Sequence, residues 1–562
     1  MSKLKQWGEK YGYISLIILA GFVLRIIGLQ FGKPFRYHPD ELKLVYQAGN
    51  LLQIHHWSRH LIFLIGVYPP FFTYILAMAF AVYAGFLVIL GYAPNLAAVK
   101  EIYYIHPFTY HLIARWISVF AGTMSIDAIY LIGKRLYSRK TALMAAAFVA
   151  VSFILVRNSH FGVVDIFQTL LVLISFYFSV RILRNGTWKD YAFAGIFAGL
   201  AAATKWNAGL IVLPIIVAHF LVVFQKDGSS WKKIVSANLL LAGTACLVAF
   251  LIACPMPLVD FNEFWGGIVG TAAFQQSGAK KLGAGGNFWS YFTGHHSPGY
   301  GFFYDNSFIP AMGLFATIAF SLGIIYLLWK HRREDILLLS FPIVMYLLIG
   351  RMNYKAMRQL LPVVPFLLLI ASEFVVQLSE MTQRLKIQRI ILVFACVLII
   401  VPTGVKALRY DIALCQPDTR TLMKDWIEAN IPAGTKIGME EFHPPLLSRH
   451  DLNLKLIEKS QDYKAVYDVF GLVPGMFAHG KQRTQDQNPT NYILANKINY
   501  IVLDSFTYDR YHWKLTKLKN AKIVAERDGF YHWVEKNCTR LYTEPQRNKF
   551  NISPALKIYK VK

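Results

Sequence analysis

Hydrophobic positions in this chain fall into runs too long for one face of a soluble helix or strand. Residues 14–29, 234–253, 308–329 and 390–401 hold few or no charges, and they approach or reach the ~20 residues that cross a bilayer as a helix. Between the runs lie short basic loops at 1–10, 134–140, 181–189, 226–233, 330–333 and 384–389. Short loops rich in Lys and Arg stay in the cytoplasm. From residue 134 onward, each consecutive pair of basic loops encloses enough apolar sequence for two spans. The segments near 157–165, 206–209, 255–306 and 351–358, and everything after about residue 407, are then expected outside.

One stretch resists this count. Residues 61–90 are strongly apolar but contain Pro69-Pro70, and a proline pair inside a span removes helical hydrogen bonds. For the 134–140 loop to stay inside, the stretch crosses the bilayer zero times or twice. Helices lying along or dipping into the outer face give 11 spans, and a hairpin gives 13.

The periodicity changes past about residue 411. Residues 421–430 have helical spacing and Ile431-Pro-Ala-Gly434 stops them, while 435–439 and 500–503 predict short strands separated by polar turns. The expected fold is a polytopic α-helical membrane protein with 11 to 13 transmembrane helices and a C-terminal soluble α/β domain. Residues 1–407 form the membrane part, with outside loops at 31–111 and 255–306, and 408–562 form the outside domain.

Composition agrees with this reading. The 562 residues are 55% hydrophobic, 15% aromatic and only 16% charged, against about 25% charged in soluble domains. Ordinary globular and disordered classes are excluded. The net charge of +26 would suggest nucleic acid in a soluble protein. Here the basic loops absorb much of it, and no nucleic-acid partner is expected. Five cysteines without paired spacing predict neither a disulfide framework nor a zinc site. Lys3, Lys5 and Lys10 precede the first apolar run, and no small-residue cleavage site follows, which predicts an uncleaved first helix with a cytoplasmic N-terminus.

Several ionisable residues are left unexplained by topology. Asp40 and Glu41 follow the first span, Arg115 lies near the outer end of another, and Arg157, His160 and Asp165 cluster at a third. Lys205 is about 14 residues into its span, ~21 Å from the inner face. Arg351, Lys355 and Arg358 are spaced i, i+4, i+7, which places them on one face of any helix there. Ionisable groups at membrane depth are costly and mark functional sites. Each also has a structural reading: Asp40 and Glu41 as helix-dipole partners after Pro39, Lys205 snorkelling, His160 as a satisfied core histidine, Asp165 paired with Arg157, and the cationic stripe on lipid headgroups. Asp127, deeper in its span, fits neither scheme. Together, two carboxylates facing cations suit an acceptor hydroxyl, whose proton an Asp can take, and a leaving phosphate, whose charge Lys and Arg can stabilise. No P-loop or Rossmann glycine pattern is present to hold a nucleotide, so the phosphate is expected on a lipid.

At these residues the chain resembles the GT-C glycosyltransferases that use polyprenyl-phosphate sugars, most closely the protein O-mannosyltransferases and the lipid A aminoarabinose transferases. The matching pieces run in order: Tyr37-His-Pro-Asp-Glu41, Tyr68-Pro-Pro-Phe71, Ala114-Arg-Trp-Ile-Ser118 with Gly122, His160-Phe-Gly-Val-Val-Asp165, Thr204-Lys-Trp206 and Lys355-Ala-Met-Arg-Gln-Leu-Leu-Pro362. The resemblance implies a GT-C fold and an inverting single displacement at the anomeric carbon. Asp40 would be the base, with Glu41 and Asp165 completing the acidic set, and Asp40 and Asp165 would be the ligands of a divalent cation if one is used. It further implies a donor-phosphate and lipid site of Lys205, Arg351, Tyr354, Lys355, Arg358 and Arg115. His160, Arg157, His295 and Tyr304 would orient substrate. The chain departs from the family where Tyr68 precedes Pro69-Pro70, a place for Lys or His, and where Gln359 follows Arg358, a place for Tyr. No luminal repeat domain is visible, which points to a bacterial inner-membrane enzyme with a periplasmic C-terminal domain. Its partners would be the bilayer, a polyprenyl-phosphate-linked sugar, and a lipid, glycan or protein acceptor. A lipid or anion transporter or flippase is the competing class, and a membrane-anchored scaffold for the tail a third.

Overall fold

A computed structural model describes residues 3–52, 68–224, 236–278, 286–294, 307–382, 387–451, 454–473, 481–482, 488–509, 522–547, 550 and 552–562. Its helices begin with α1 (Lys3–Ile26), α2 (Pro39–Leu51), α3 (Phe71–Ile89), α4 (Leu96–Ile105) and α5 (Pro107–Leu136). They continue with α6 (Arg139–Val151), α7 (Phe153–Ser159), α8 (Val164–Asn185), α9 (Trp188–Ala202), α10 (Val212–Val223) and α11 (Ala237–Ala253). After α12 (Phe261–Ala273) come α13 (Leu314–Lys330), α14 (Arg333–Arg351), α15 (Val364–Met381) and α16 (Gln388–Leu414).

Among the described residues, six helical stretches are long and apolar enough to cross a membrane, or seven when α6 and α7, bent by 56° at Ser152, count as one. Shorter apolar helices lie at Gly12–Ile26, Ala237–Ala253 and Leu314–Lys330. Of the difficult 61–90 stretch, residues 61–67 lie outside the described residues. Pro69 and Pro70 precede α3 rather than interrupt it, with Pro70 as its N-cap. The prolines therefore cost no internal hydrogen bond, and α3 runs unbroken for 19 residues.

The centre of the bundle is α15. It reads largely hydrophobic all round (VPFLLLIASEFVVQL), as a helix enclosed by others must, and 94% of the apolar segment within the continuous stretch Met357–Met381 is buried. Elsewhere small residues set the packing. Gly195 and Gly199 sit one turn apart on α9, and a Cβ at either would fall 2.1 Å and 2.2 Å from the carbonyl oxygens of Ala242 and Cys246 on α11. This is close backbone approach through a Gly-xxx-Gly face, the usual way helices pack without a hydrophobic drive. At the end carrying the basic loops, Arg332 bridges Asp335 (Nε–Oδ2, 2.8 Å) and Glu373 (3.0 Å). Tyr137 donates to Asp335 and Thr141 to Glu373 at 2.8 and 3.0 Å.

α16 runs through the expected 407/408 boundary to Leu414. Beyond it come α17 (Thr419–Asn430), β1 (Lys436–Met439), β2 (Leu447–Ser448), β3 (Val466–Gly471), β4 (Lys481–Gln482), α18 (Pro489–Ala495), β5 (Tyr500–Asp504), α19 (Lys522–Asn537), β6 (Cys538–Glu544) and β7 (Leu556–Val561). The strands form one mixed sheet ordered β2-β3-β1-β5-β7-β6, with β4 on β3. The β1–β3 and β1–β5 pairs are parallel, while β5–β7 and β6–β7 are antiparallel. Apolar clusters pack against this sheet, one built around α17 and the other around α18 and α19.

This unit docks on the α1–α2 linker. Tyr37 shares a 2.6 Å hydrogen bond with Thr421, and the Arg420 guanidinium stacks 3.9 Å from the Tyr37 ring centroid. The linker lies close against α16: Gly28 has φ +79°, and a Cβ there would meet Leu414 Cβ at 2.6 Å.

We predict that Gly199→Leu forces α9 and α11 apart and lowers the thermal unfolding midpoint of the detergent-purified protein by many degrees. An unchanged midpoint would contradict the packing described.

Candidate active site

The site begins where α2 starts. Pro39 at the first helical position pre-sets φ and lacks an N–H that would go unused there. His38 caps the helix, its Nδ1 accepting from the Glu41 amide at 3.3 Å. Asp40 and Glu41 then go to different partners.

Glu41 is fully buried. Arg115, on α5, grips it with two bonds of 2.8 Å, Nε to Oε1 and Nη2 to Oε2, and its third nitrogen donates to the Leu29 and Phe31 carbonyls, also at 2.8 Å. Glu41 Oε1 also accepts from the Gly162 amide at 2.8 Å. A buried ion pair persists when bidentate geometry and further hydrogen bonds satisfy both charges. Burial alone would raise the Glu41 carboxyl, but Arg115 beside it outweighs that and holds it at about 2. Gly162 admits no side chain, because a Cβ would lie 2.4 Å from Ala114 Cβ.

Asp40 faces a cavity of about 490 Å³. There Arg358, on a 3-10 turn spanning Met357–Val363, pairs with its carboxylate. Burial pushes the Asp40 carboxyl up, but Arg358, His38 and Lys205 together pull it down to about 2, so it is an anion at neutral pH. A second pair lines the same cavity: Lys205 Nζ donates to Asp165 Oδ1 at 2.6 Å. Asp165 sits in the first turn of α8, where a carboxylate suits the helix dipole. Lys205 follows the end of α9 in extended conformation, ahead of a 3-10 turn at Trp206–Ile211, with its ammonium 5.6 Å from the Tyr68 ring centroid. Asn207 ties the two 3-10 turns together by donating to the Gln359 carbonyl at 3.0 Å while accepting from Gln168 at 2.8 Å. Broken helices at membrane depth are tolerated where they are buried in protein or line a cavity.

The expected site residues divide accordingly. Asp40, Arg157, Asp165, Lys205, Tyr354 and Arg358 line the cavity. Glu41 and Arg115 stand behind it as a clamp. His160 is a buried wedge outside the lining: Nδ1 lies 2.9 Å from the Val156 carbonyl, and Nε2 lies 2.8 Å from that of Ile27 and 3.5 Å from Asp411 Oδ1. Lys355 is also buried away from the cavity, donating to the Gly350 carbonyl at 2.6 Å with Nζ 5.3 Å from the Tyr291 ring centroid. Arg351 ends α14 and is exposed. The i, i+4, i+7 stripe therefore does not form, because the helix stops at Arg351 and the chain reaches Arg358 through an extended stretch and a 3-10 turn. Asp165 pairs with Lys205, the partner that sequence spacing had not indicated. His295 and Tyr304 lie outside the described residues. Sequence reasoning missed Asn207, the neighbour of the Thr204-Lys-Trp206 motif, and Glu441 and Phe442, which reach the cavity from the C-terminal unit with no local signal.

The donor set does not fit a divalent cation. Asp40 and Asp165 each face a cationic side chain, and among the described residues no three His, Cys, Asp or Glu side chains gather as ligands.

The described residues thus form a bundle of apolar helices, broken at a cavity where Asp40, Asp165, Lys205 and Arg358 gather and followed by an α/β unit. A family model described as dolichyl-phosphate-mannose-protein mannosyltransferase matches residues 108–254, the range that holds Arg115, Asp165 and Lys205. The fold is similar to ArnT from Cupriavidus metallidurans, solved bound to undecaprenyl phosphate, with a TM-score of 0.52 at 10% identity over 98% of each chain. It is also similar to the archaeal oligosaccharyltransferase AglB from Archaeoglobus fulgidus, solved with an inhibitory peptide and a dolichol-phosphate. That match has a TM-score of 0.51 at 14% identity and covers 90% of this chain and 71% of that one. No curated protein matches the chain by sequence. The chain thus resembles the GT-C glycosyltransferases in fold, as its motifs suggest.

The clamp has a pH signature. A carboxyl held at about 2 contributes stability above the ordinary Glu value of ~4.3 and loses it as pH falls toward the folded value. Glu41→Gln should therefore lower the thermal midpoint near pH 7, and the gap to wild type should narrow as pH drops from about 5 to about 3. Arg115→Met, which leaves a buried charge unpaired, should cost about 3–5 kcal/mol. A gap between wild type and Glu41→Gln that is constant with pH would contradict the pairing.

Proposed function

We propose that the chain is a membrane glycosyltransferase that moves a sugar from a polyprenyl-phosphate carrier to a hydroxyl of a lipid, glycan or protein acceptor, with inversion and with Asp40 as general base. The observation that carries this reading is the gathering of Asp40, Asp165, Lys205 and Arg358 on one cavity. The fold shared with proteins solved with undecaprenyl phosphate and dolichol-phosphate supports the lipid-phosphate donor.

The acceptor oxygen attacks the anomeric carbon, the bond from that carbon to the phosphate oxygen breaks, and the acceptor proton passes to Asp40. The lipid phosphate leaves with its negative charge against Arg358 and Lys205, which are aimed at where charge develops. Arg358 and Lys205 are each already paired with a carboxylate. An arriving phosphate competes with Asp40 for Arg358. As it takes the guanidinium, Asp40 loses the partner that makes it a weak base, and its affinity for a proton rises. Donor binding thereby activates the base.

The positive-inside pattern supports a cavity at the outer face, an N-terminus in the cytoplasm and the α/β unit on the opposite side, and the resemblance favours the periplasm of a bacterial inner-membrane protein for that unit. Crowding of the pairs in one cavity favours transfer over transport, which needs charge distributed along a path to both faces.

Incubation with radiolabelled polyprenyl-phosphate sugars tests the assignment. Asp40→Asn should lower transfer by about 10²–10⁴-fold while undecaprenyl phosphate still binds. Full transfer by folded Asp40→Asn protein would remove Asp40 as base. Arg358→Ala should weaken undecaprenyl phosphate binding by about 2–5 kcal/mol, and unchanged affinity in a titration would remove Arg358 from the phosphate site.

A further inference from the structure

β1 occupies a particular place in the C-terminal sheet. It lies between β3 and β5, parallel to both. The chain leaves it toward β2 and β3 on one side and later returns to β5 on the other. In open parallel sheets, ligands bind outside the carboxyl ends of the strands where the order reverses in this way. The residues that leave the carboxyl end of β1 include Glu441 and Phe442, and these line the same cavity as Asp40 and Arg358. Two independent features, the sheet's switch point and the membrane cavity, meet at this dipeptide.

The loop is held from behind. Buried Glu440 accepts from the Tyr531 hydroxyl at 2.6 Å and from the Asp504 amide at 3.1 Å. Asp504, at the end of β5, accepts from the Phe442 amide at 3.1 Å. The Phe442 ring meets Phe506 edge-on, with centroids 5.3 Å apart. A recognition residue needs such support to keep its geometry.

We propose that Glu441 and Phe442 bind the acceptor, and that the acceptor carries a pyranose ring beside its reacting hydroxyl. This rests on the transfer reading above. A carboxylate has acceptor sites for two neighbouring hydroxyls, and an aromatic ring offers a rigid apolar surface to the C–H face of a sugar. The cavity, about 490 Å³, falls in the ~300–1,000 Å³ range of small-molecule pockets. An extended peptide would be favoured by a free strand edge, but β1 is paired on both edges.

The test uses full-length protein in nanodiscs, loaded with undecaprenyl phosphate, and titrates methyl pyranosides of glucose, galactose and mannose by saturation-transfer NMR, with a Ser/Thr octapeptide in parallel. At least one pyranoside should bind wild type. Glu441→Gln and Phe442→Ala should each weaken it about tenfold or more, Phe442→Tyr should retain it, and undecaprenyl phosphate affinity should hold in all three variants. Pyranoside affinity unchanged in both Glu441→Gln and Phe442→Ala would overturn the proposal. So would wild type that binds undecaprenyl phosphate but no pyranoside, or octapeptide binding alone lost in the variants. Wild type that fails to bind undecaprenyl phosphate would instead overturn the transfer reading, and this inference with it.

Discussion

The site depends on one buried ion pair. Arg115 and Glu41 have no exposure, and their hydrogen bonds reach the α1–α2 linker at Leu29 and Phe31, the first turn of α2, and the Gly162 amide three residues before Asp165. Asp40 is Glu41's neighbour, so both cavity carboxylates take their positions from the same clamp. A lysine could not replace Arg115, because a point charge cannot hold two carboxylate oxygens and two carbonyls in one plane.

In the cavity the same principle operates with less burial. Arg358 and Lys205 answer Asp40 and Asp165, so these four charges are paired before any ligand arrives. Such a site exchanges partners rather than creating charge, which would keep small the cost of binding the proposed phosphate in a low-dielectric setting. The C-terminal unit takes part through Glu441 and Phe442, and its docking on Tyr37 through Thr421 and Arg420 links it to the linker that the clamp also holds.

Much of this was legible along the chain because it is local. Apolar runs reappear as apolar helices, Ile431-Pro432 stops α17 at Asn430, and the strand spacing at 435–439 and 500–503 reappears as β1 and β5. Asp40, Asp165, Lys205 and Arg358 stand out because charge in an apolar setting is rare. What could not be read depends on where helices break. The Arg351–Arg358 stripe assumes continuous helix, yet α14 ends at Arg351, and three cations that spacing would stack go to solvent, to a carbonyl and to the cavity. Arg115 and His160 carry the same kind of signal as Arg358, but their partners, Glu41 and the Ile27 carbonyl, lie 74 and 133 residues away. Glu441 reaches the cavity across about 400 residues of chain, a pairing that no local pattern encodes.

The central claim is that the paired charges of this cavity are a lipid-phosphate site. A cryo-electron microscopy structure of the protein with undecaprenyl phosphate tests it directly. The account predicts phosphate density in contact with both Arg358 and Lys205, with the Asp40 carboxylate parted from Arg358. Phosphate bound elsewhere, with both charge pairs intact, would contradict it.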